Sequence, residues 1–126
     1  MTTFTTNLQG VNFRGADIVD FVRNELNEDT ELSLERDPEN EYDANAIKVF
    51  ARAYDGKLWI GFVEKSIAED LAPAIDSGEA VRSISIVGWL NPLKPVLEIV
   101  MGLTDDEDEE AEEEEFTEDD DAGDDA

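Results

Sequence analysis

Arg36-Asp37-Pro38-Glu39-Asn40-Glu41-Tyr42-Asp43-Ala44-Asn45-Ala46-Ile47-Lys48-Val49 joins a polar turn carrying one aromatic residue to the start of an apolar strand pattern. Pro38 fixes φ and favours a turn, and Asp37, Asn40, Asp43 and Asn45 have short side chains that hydrogen-bond local backbone. A tight polar loop needs no tyrosine. Tyr42, Asp43 and Asn40 together at the mouth of a strand offer a stacking surface, an acceptor and an amide, whereas Asp37 and Asn45 read as turn stabilisers.

Strand signals lie on both sides of this loop. Residues 30–36 alternate, with Leu32 and Leu34 opposite Glu31, Ser33 and Glu35, and Ile47 and Val49 then point opposite to Lys48 and Phe50. Asp55-Gly56 between Tyr54 and Lys57 predicts a two-residue hairpin turn. Leu58, Ile60 and Phe62 alternate with Trp59, Gly61 and Val63, which makes that strand apolar on both faces and central. Val81 to Trp89 and Pro95 to Leu103 form two further strands around an Asn91-Pro92 turn. Two segments have helical spacing instead. Ala16 to Leu26 places Ile18, Val19, Phe21, Val22 and Leu26 on one face behind Asp17. Ser66 to Gly78 opens with the capping-box spacing Ser66/Glu69, repeats Ile67, Leu71 and Ile75, contains Pro73 where a break or kink is expected, and ends at Gly78. The prediction is a mainly β fold with two short helices, a small OB-like or SH3-like β-barrel of about six strands.

Charge divides the 126 residues sharply. The net charge is −25, and Asp105 to Asp125 holds 16 of the 34 acids and none of the nine bases, leaving the body at −9. Residues 1–103 are read as the barrel domain. Residues 104–126, with few apolar side chains and strong self-repulsion, are read as a disordered acidic tail. Phe116, alone among acids, is its candidate anchor for a basic protein partner.

Composition removes several chemistries. With no cysteine and no histidine, disulfides, thiolate sites and the commonest general base and metal ligand are excluded. Asp37, Glu39, Glu41 and Asp43 alternate as in a calcium loop. Tyr42 and Lys48, however, stand where such a loop needs glycine and a bidentate glutamate. No pair of carboxylates is singled out for acid-base work, so neither a catalytic residue nor a metal or cofactor is expected. The N-terminal stretch lacks signal-peptide character and no span reaches the roughly 18 apolar residues of a membrane helix, so an intracellular, soluble protein without membrane contact is the expectation.

The central run also resembles the signature of the HIRAN domain, matching at Arg36-Asp37-Pro38, Asn40, Tyr42-Asp43 and Asn45-Ala46-Ile47-Lys48-Val49. Weaker agreement runs through Gly10-Val11-Asn12-Phe13, Gly61-Phe62-Val63-Glu64-Lys65 and the helix from Ser66, so it spans roughly residues 5 to 103. The resemblance implies an OB-like barrel that binds single-stranded DNA, in the best understood members by capturing a 3′ end. Residue by residue it gives Phe13 and Tyr42 as aromatics around the terminal base. It gives Asp43 as acceptor for the terminal sugar hydroxyl and Lys65 as a phosphate contact, with Asn40 beside them. On the residues alone, Phe13 is equally well core packing. Asn12 stands where end-binding members carry a base, Phe62 replaces a polar ring, and the hairpin around Leu93 and Lys94 is short for another DNA-contacting aromatic. Arg14 and Lys94 are further cations for phosphates.

Two readings of function result. The first is a single-stranded DNA-end pocket whose binding is weak or regulated by the tail, in replication, repair or defence, since a −9 body repels a polyanion. The alternative is an acidic protein-binding or DNA-mimicking module that contacts a basic partner and has lost DNA affinity. Adaptation to high salt would also explain the acidity.

Overall fold

The computed structural model describes residues 2–53 and 56–102. Six antiparallel strands form one curled sheet in the order β2-β3-β4-β1-β6-β5. They are β1 (Thr2–Gln9), β2 (Leu32–Arg36), β3 (Ile47–Ala53), β4 (Gly56–Val63), β5 (Ala80–Asn91) and β6 (Lys94–Gly102). Helix α1 (Ala16–Asn24) follows a 3₁₀ turn at Val11–Phe13, and α2 (Lys65–Asp76) links β4 to β5. This is the small mainly β half-barrel with two helices that the alternation predicted. The expected tail and Phe116 lie outside the described residues.

β1 is the strand the periodicity did not reveal. It pairs with β6 from Thr2↔Met101 to Asn7↔Val96, then turns to β4 at Leu8↔Val63 and Gln9↔Phe62. Changing partner mid-strand curls the sheet and joins the β2-β3-β4 and β5-β6 halves. Close approach at this seam requires Gly61, where a Cβ would stand 2.5 Å from the Gln9 carbonyl oxygen and 2.9 Å from Leu8 Cδ1. Buried Thr6 is satisfied there, because its hydroxyl donates to the Asn7 carbonyl at 3.1 Å and accepts the Glu64 N–H at 3.0 Å.

The inward faces of the strands supply the core: Leu8, Ile47, Val49, Ala51, Ile60, Leu97, Ile99 and Met101 are buried, with Val22 of α1 and Ala68, Leu71 and Ala72 of α2 packed on them. Ala68, Leu71 and Ala72 fall at the three- and four-residue spacing of one helical face. Central β4 fits its two-faced apolarity, because it lies between β3 and β1.

Three local expectations change. The capping box fails, since Glu64 is the N-cap of α2 and makes no side-chain cap bond, while Ser66 lies inside the helix. The strand dictates this start: Val63 is still paired, and the Glu64 carboxylate is taken by the Asn7 N–H at 2.8 Å. Pro73 does not end α2. Pro73 and Glu69, whose carbonyl lacks its helical partner, are both exposed, so water can serve that carbonyl. The stop comes at Gly78 (φ 102°), with the N–H groups of Gly78 and Glu79 bonded to the Ile75 and Ala74 carbonyls in a Schellman arrangement. Finally Gly56, expected in the hairpin turn, is already paired with Ala53, while Tyr54 and Asp55 lie outside the described residues.

Candidate nucleic-acid interface

The loop between β2 and β3 is built by its own short polar side chains. The Asp37 N–H donates to the Ala46 carbonyl at 2.9 Å, closing the base, and the Ala46 N–H donates to the Asp43 carbonyl at 3.0 Å. Asn40 organises the tip: its Oδ1 accepts the N–H groups of Tyr42 at 2.9 Å and Asp43 at 3.1 Å, and its Nδ2 donates to Asp37 Oδ2 at 3.1 Å. Asp43 Oδ1 accepts the Asn45 N–H at 2.9 Å. With two donors on the Asn40 amide nitrogen, one N–H remains for a ligand.

Arg36 holds this loop against the body. Its guanidinium donates to the carbonyls of Ala46 at 2.8 Å and Ala44 at 3.0 Å, and makes a two-point contact with Asp76 of α2 at 3.0 and 3.1 Å. The Arg36 side chain is 14% exposed. Its hydrogen bond holds the Asp76 carboxyl below its usual value, partial burial opposes the shift, and the guanidinium charge adds to it. Arg36 is the functional scaffold residue that sequence reasoning missed, because its partners lie 8 to 40 positions away.

So held, Tyr42 is 86% exposed. A cleft of about 550 Å³ lies beneath it, within the usual size of small-ligand pockets. Asn40, Tyr42, Asp43 and Ala46 line one side, the strand ends Gln9, Phe62 and Val63 another, and Glu64, Lys65 and Ser66 the start of α2. Four of the sequence-derived candidates, Asn40, Tyr42, Asp43 and Lys65, therefore meet at one cleft. Phe13 does not line it. Phe13 is 89% exposed on the 3₁₀ turn, which removes the core-packing alternative. Lys94 pairs with Asn91 in the β5-β6 hairpin, outside the cleft lining.

Arg14 lies on the adjoining sheet face. Its guanidinium carbon stands 3.3 Å from the centroid of the Trp59 ring, and Lys48 Nζ stands 4.3 Å from the same centroid. Trp59 meets Phe62 edge-on at 5.4 Å, and Phe62 lines the cleft. A bulge in the β3-β4 ladder between Val49 and Phe50 brings Phe50 opposite Trp59 while Lys48 stays opposite Phe62. The alternation predicts that Lys48 faces outward, but not this bulge or the meeting at Trp59. A separate, larger depression at α1 and β4 mixes Asp17, Asp20 and Glu25 with Arg52 and Lys57, and contains no sequence-derived candidate. Among the described residues no group of three or more acidic side chains is arranged to hold a metal ion, and no helix is long and apolar enough to cross a membrane.

A half-barrel with one aromatic and polar cleft at its strand ends is the frame of a small binding module. The HIRAN domain model matches residues 1–100, and the chain belongs to that family of DNA-binding modules. The chain is similar in structure to the HIRAN domain of human HLTF, with a TM-score of 0.58 and 24% identity over 80% of this chain and 76% of that one. A protein from Lactobacillus plantarum gives a TM-score of 0.59 at 17% identity, over 80% of this chain and 97% of that one. In sequence, 52 residues are 38% identical to a Fanconi-associated nuclease 1 homolog of Oryza sativa subsp. japonica, covering 41% of this chain and only 5% of that relative.

Proposed function

We propose that this chain captures the free 3′ end of single-stranded DNA in the cleft beneath Tyr42, as a binding module without catalytic activity of its own. The observation that carries the reading is the exposed Tyr42 ring standing over a cleft that also holds Asp43 and Lys65. Tyr42 supplies a stacking surface for the terminal base, and Lys65 a cation for its phosphate. Asp43 has one oxygen committed to Asn45, which leaves Oδ2 for a hydroxyl. A carboxylate repels an internal phosphate but accepts a hydrogen bond from a terminal hydroxyl, so the same residue discriminates ends from continuous strand. Phe13, two residues from buried Val11, closes over the base only if its turn moves toward the cleft.

In this reading the acidic segment Asp105 to Asp125 competes with DNA for the same cations. β6 ends beside Thr2, whereas the cleft lies at Gln9, about 25 Å away along an eight-residue strand. The residues beyond Gly102 have a maximum reach of about 80 Å, and attachment places them at an effective concentration in the millimolar range.

The test is a titration of full-length protein, and of protein ending at residue 104, with strands bearing a 3′ hydroxyl or a 3′ phosphate. Tyr42→Ala should weaken binding by about 1–3 kcal/mol. Asp43→Ala should narrow the preference for the free hydroxyl, and truncation should strengthen binding at low salt. Wild-type binding by both variants would refute the cleft assignment, and equal affinity with and without residues 105–126 would refute competition.

A further inference from the structure

We propose that Arg14, Trp59 and Lys48 form a second subsite, a cation-faced aromatic platform that takes an internal phosphate of a single strand whose 3′ end occupies the cleft. The proposal deepens the cleft reading and rests on it. Its starting point is an electrostatic arrangement that folding alone does not explain. Arg14 and Lys48 converge on one ring at 3.3 and 4.3 Å from its centroid, so their charges lie within about 8 Å, one Debye length at physiological ionic strength. One cation suffices to cover an aromatic face, and a second repels the first.

The ordinary remedy is a neighbouring carboxylate, and this body has twice as many acids as bases. Yet neither Arg14 nor Lys48 has an ion-pair partner among the described residues: the carboxylate of Glu35, directly across from Lys48 on β2, is taken by Lys57. Arg14 uses its Nε toward the Trp59 carbonyl at 3.4 Å, which leaves its terminal nitrogens for an anion. An external phosphate removes the repulsion that the fold leaves in place.

Position selects a nucleic acid as the source of that phosphate. Phe62 lines the cleft, touches Trp59 edge-on at 5.4 Å and lies directly across from Lys48 on β3. Its ring also lies near Gly10, which opens the turn that carries Arg14: a Cβ added there would meet Phe62 Cδ2 at 3.7 Å. A strand leaving the cleft over Phe62 arrives at both cations, with the Glu35 carboxylate across from Lys48 held by Lys57. The contact is to backbone phosphate, so it lengthens the footprint without reading bases.

The experiment uses the full chain and two oligothymidylates with free 3′ hydroxyls, two and eight nucleotides long, titrated at about 50 and 200 mM salt. Wild type should bind the longer strand more tightly. Arg14→Gln with Lys48→Gln should bring the ratio of the two affinities toward one and reduce the salt slope for the longer strand by about 0.7, the value for one lost phosphate contact on a single strand. Arg14→Lys with Lys48→Arg should retain most of that slope. Should the double glutamine variant lose its fold, Lys48→Glu alone, at an outward strand position, should collapse the same ratio.

An unchanged ratio and slope in the folded glutamine variant would overturn the platform, as would failure of wild type to bind either strand. The cleft reading fails separately: a 3′ phosphate would then bind as well as a 3′ hydroxyl. Eight-nucleotide binding that still depended on Arg14 and Lys48 would in that case uphold the platform.

Discussion

Replacing Arg36 with methionine keeps an aliphatic stem against the sheet and removes the guanidinium donors that tie the Tyr42 loop to the body. The two bonds to the Ala44 and Ala46 carbonyls are charge-assisted, a class that contributes about 1.5–3 kcal/mol each when intact. Neither carbonyl is stranded by the change, because the Ala46 oxygen keeps the Asp37 N–H and Ala44 faces solvent. The loss therefore falls below the summed range of about 3–6 kcal/mol, at about 2 kcal/mol, and the solvent-exposed contact with Asp76 adds little. In a domain of this size that lowers the melting temperature by roughly 8–16 °C. Urea denaturation should show a lower midpoint with an unchanged m-value, and hydrogen exchange at Ala46 should accelerate. Arg36→Lys should recover less than half of the loss, since an ammonium cannot span two carbonyls and a carboxylate as the guanidinium fork does. If Arg36→Met leaves stability within about 0.5 kcal/mol of wild type and Ala46 equally protected, the Asn40 and Asp43 turns hold the loop unaided and the clamp argument is wrong.

Gly61→Ala should destabilise by about 1–3 kcal/mol, the usual range for overpacking, because its Cβ would meet backbone at the Gln9 carbonyl; a melt matching wild type would show that the β1-β4 seam yields freely. Pro73→Ala should stabilise by about 1–3 kcal/mol by restoring the helical bond to Glu69, read from the same denaturation curves, and no gain would mean that the exposed helix face had already relaxed around proline. Asp76 has a folded value lowered from the usual 3.8, so the stability it confers is complete above that value and is lost as pH falls through it toward the lower folded value. Asp76→Asn should be less stable than wild type near neutrality and should converge with it in strong acid; parallel curves at all pH values would exclude the linkage.

Much of the architecture was legible because burial on one face of a strand writes itself into alternate positions. Ile47, Val49 and Ala51 in β3 and Ile18, Val19 and Val22 in α1 illustrate the two periods. β1 escaped this reading because the middle of its inward face, between Phe4 and Leu8, is Thr6, polar in composition but β-branched and fully hydrogen-bonded where it lies. The run Thr2 to Thr6 carried a strand-propensity signal with a single hydrophobic residue, Phe4, too little to show a period. At the cleft, Asn40, Tyr42 and Asp43 could be grouped from a single loop, and Lys65 joined them through the resemblance. The Arg36 clamp and the Trp59 platform depend on register and on a bulge, which local patterns do not encode.

The two-partner strand at the seam also has a consequence in time. Thr2 pairs with Met101, so β1, made before the other five strands of this domain, has its longest ladder with β6, made after them. At about 5–20 residues per second, the N-terminal segment waits roughly 5–20 s for that partner. Meanwhile β2, β3 and β4 can already form their meander, and only Leu8 and Gln9 have somewhere to bind. Closing the half-barrel thus requires ordering nearly the whole domain before its longest-range ladder forms. A ribosome-stalled chain ending before β6 should expose the Thr2–Asn7 edge to protease, whereas release of a complete chain should protect it.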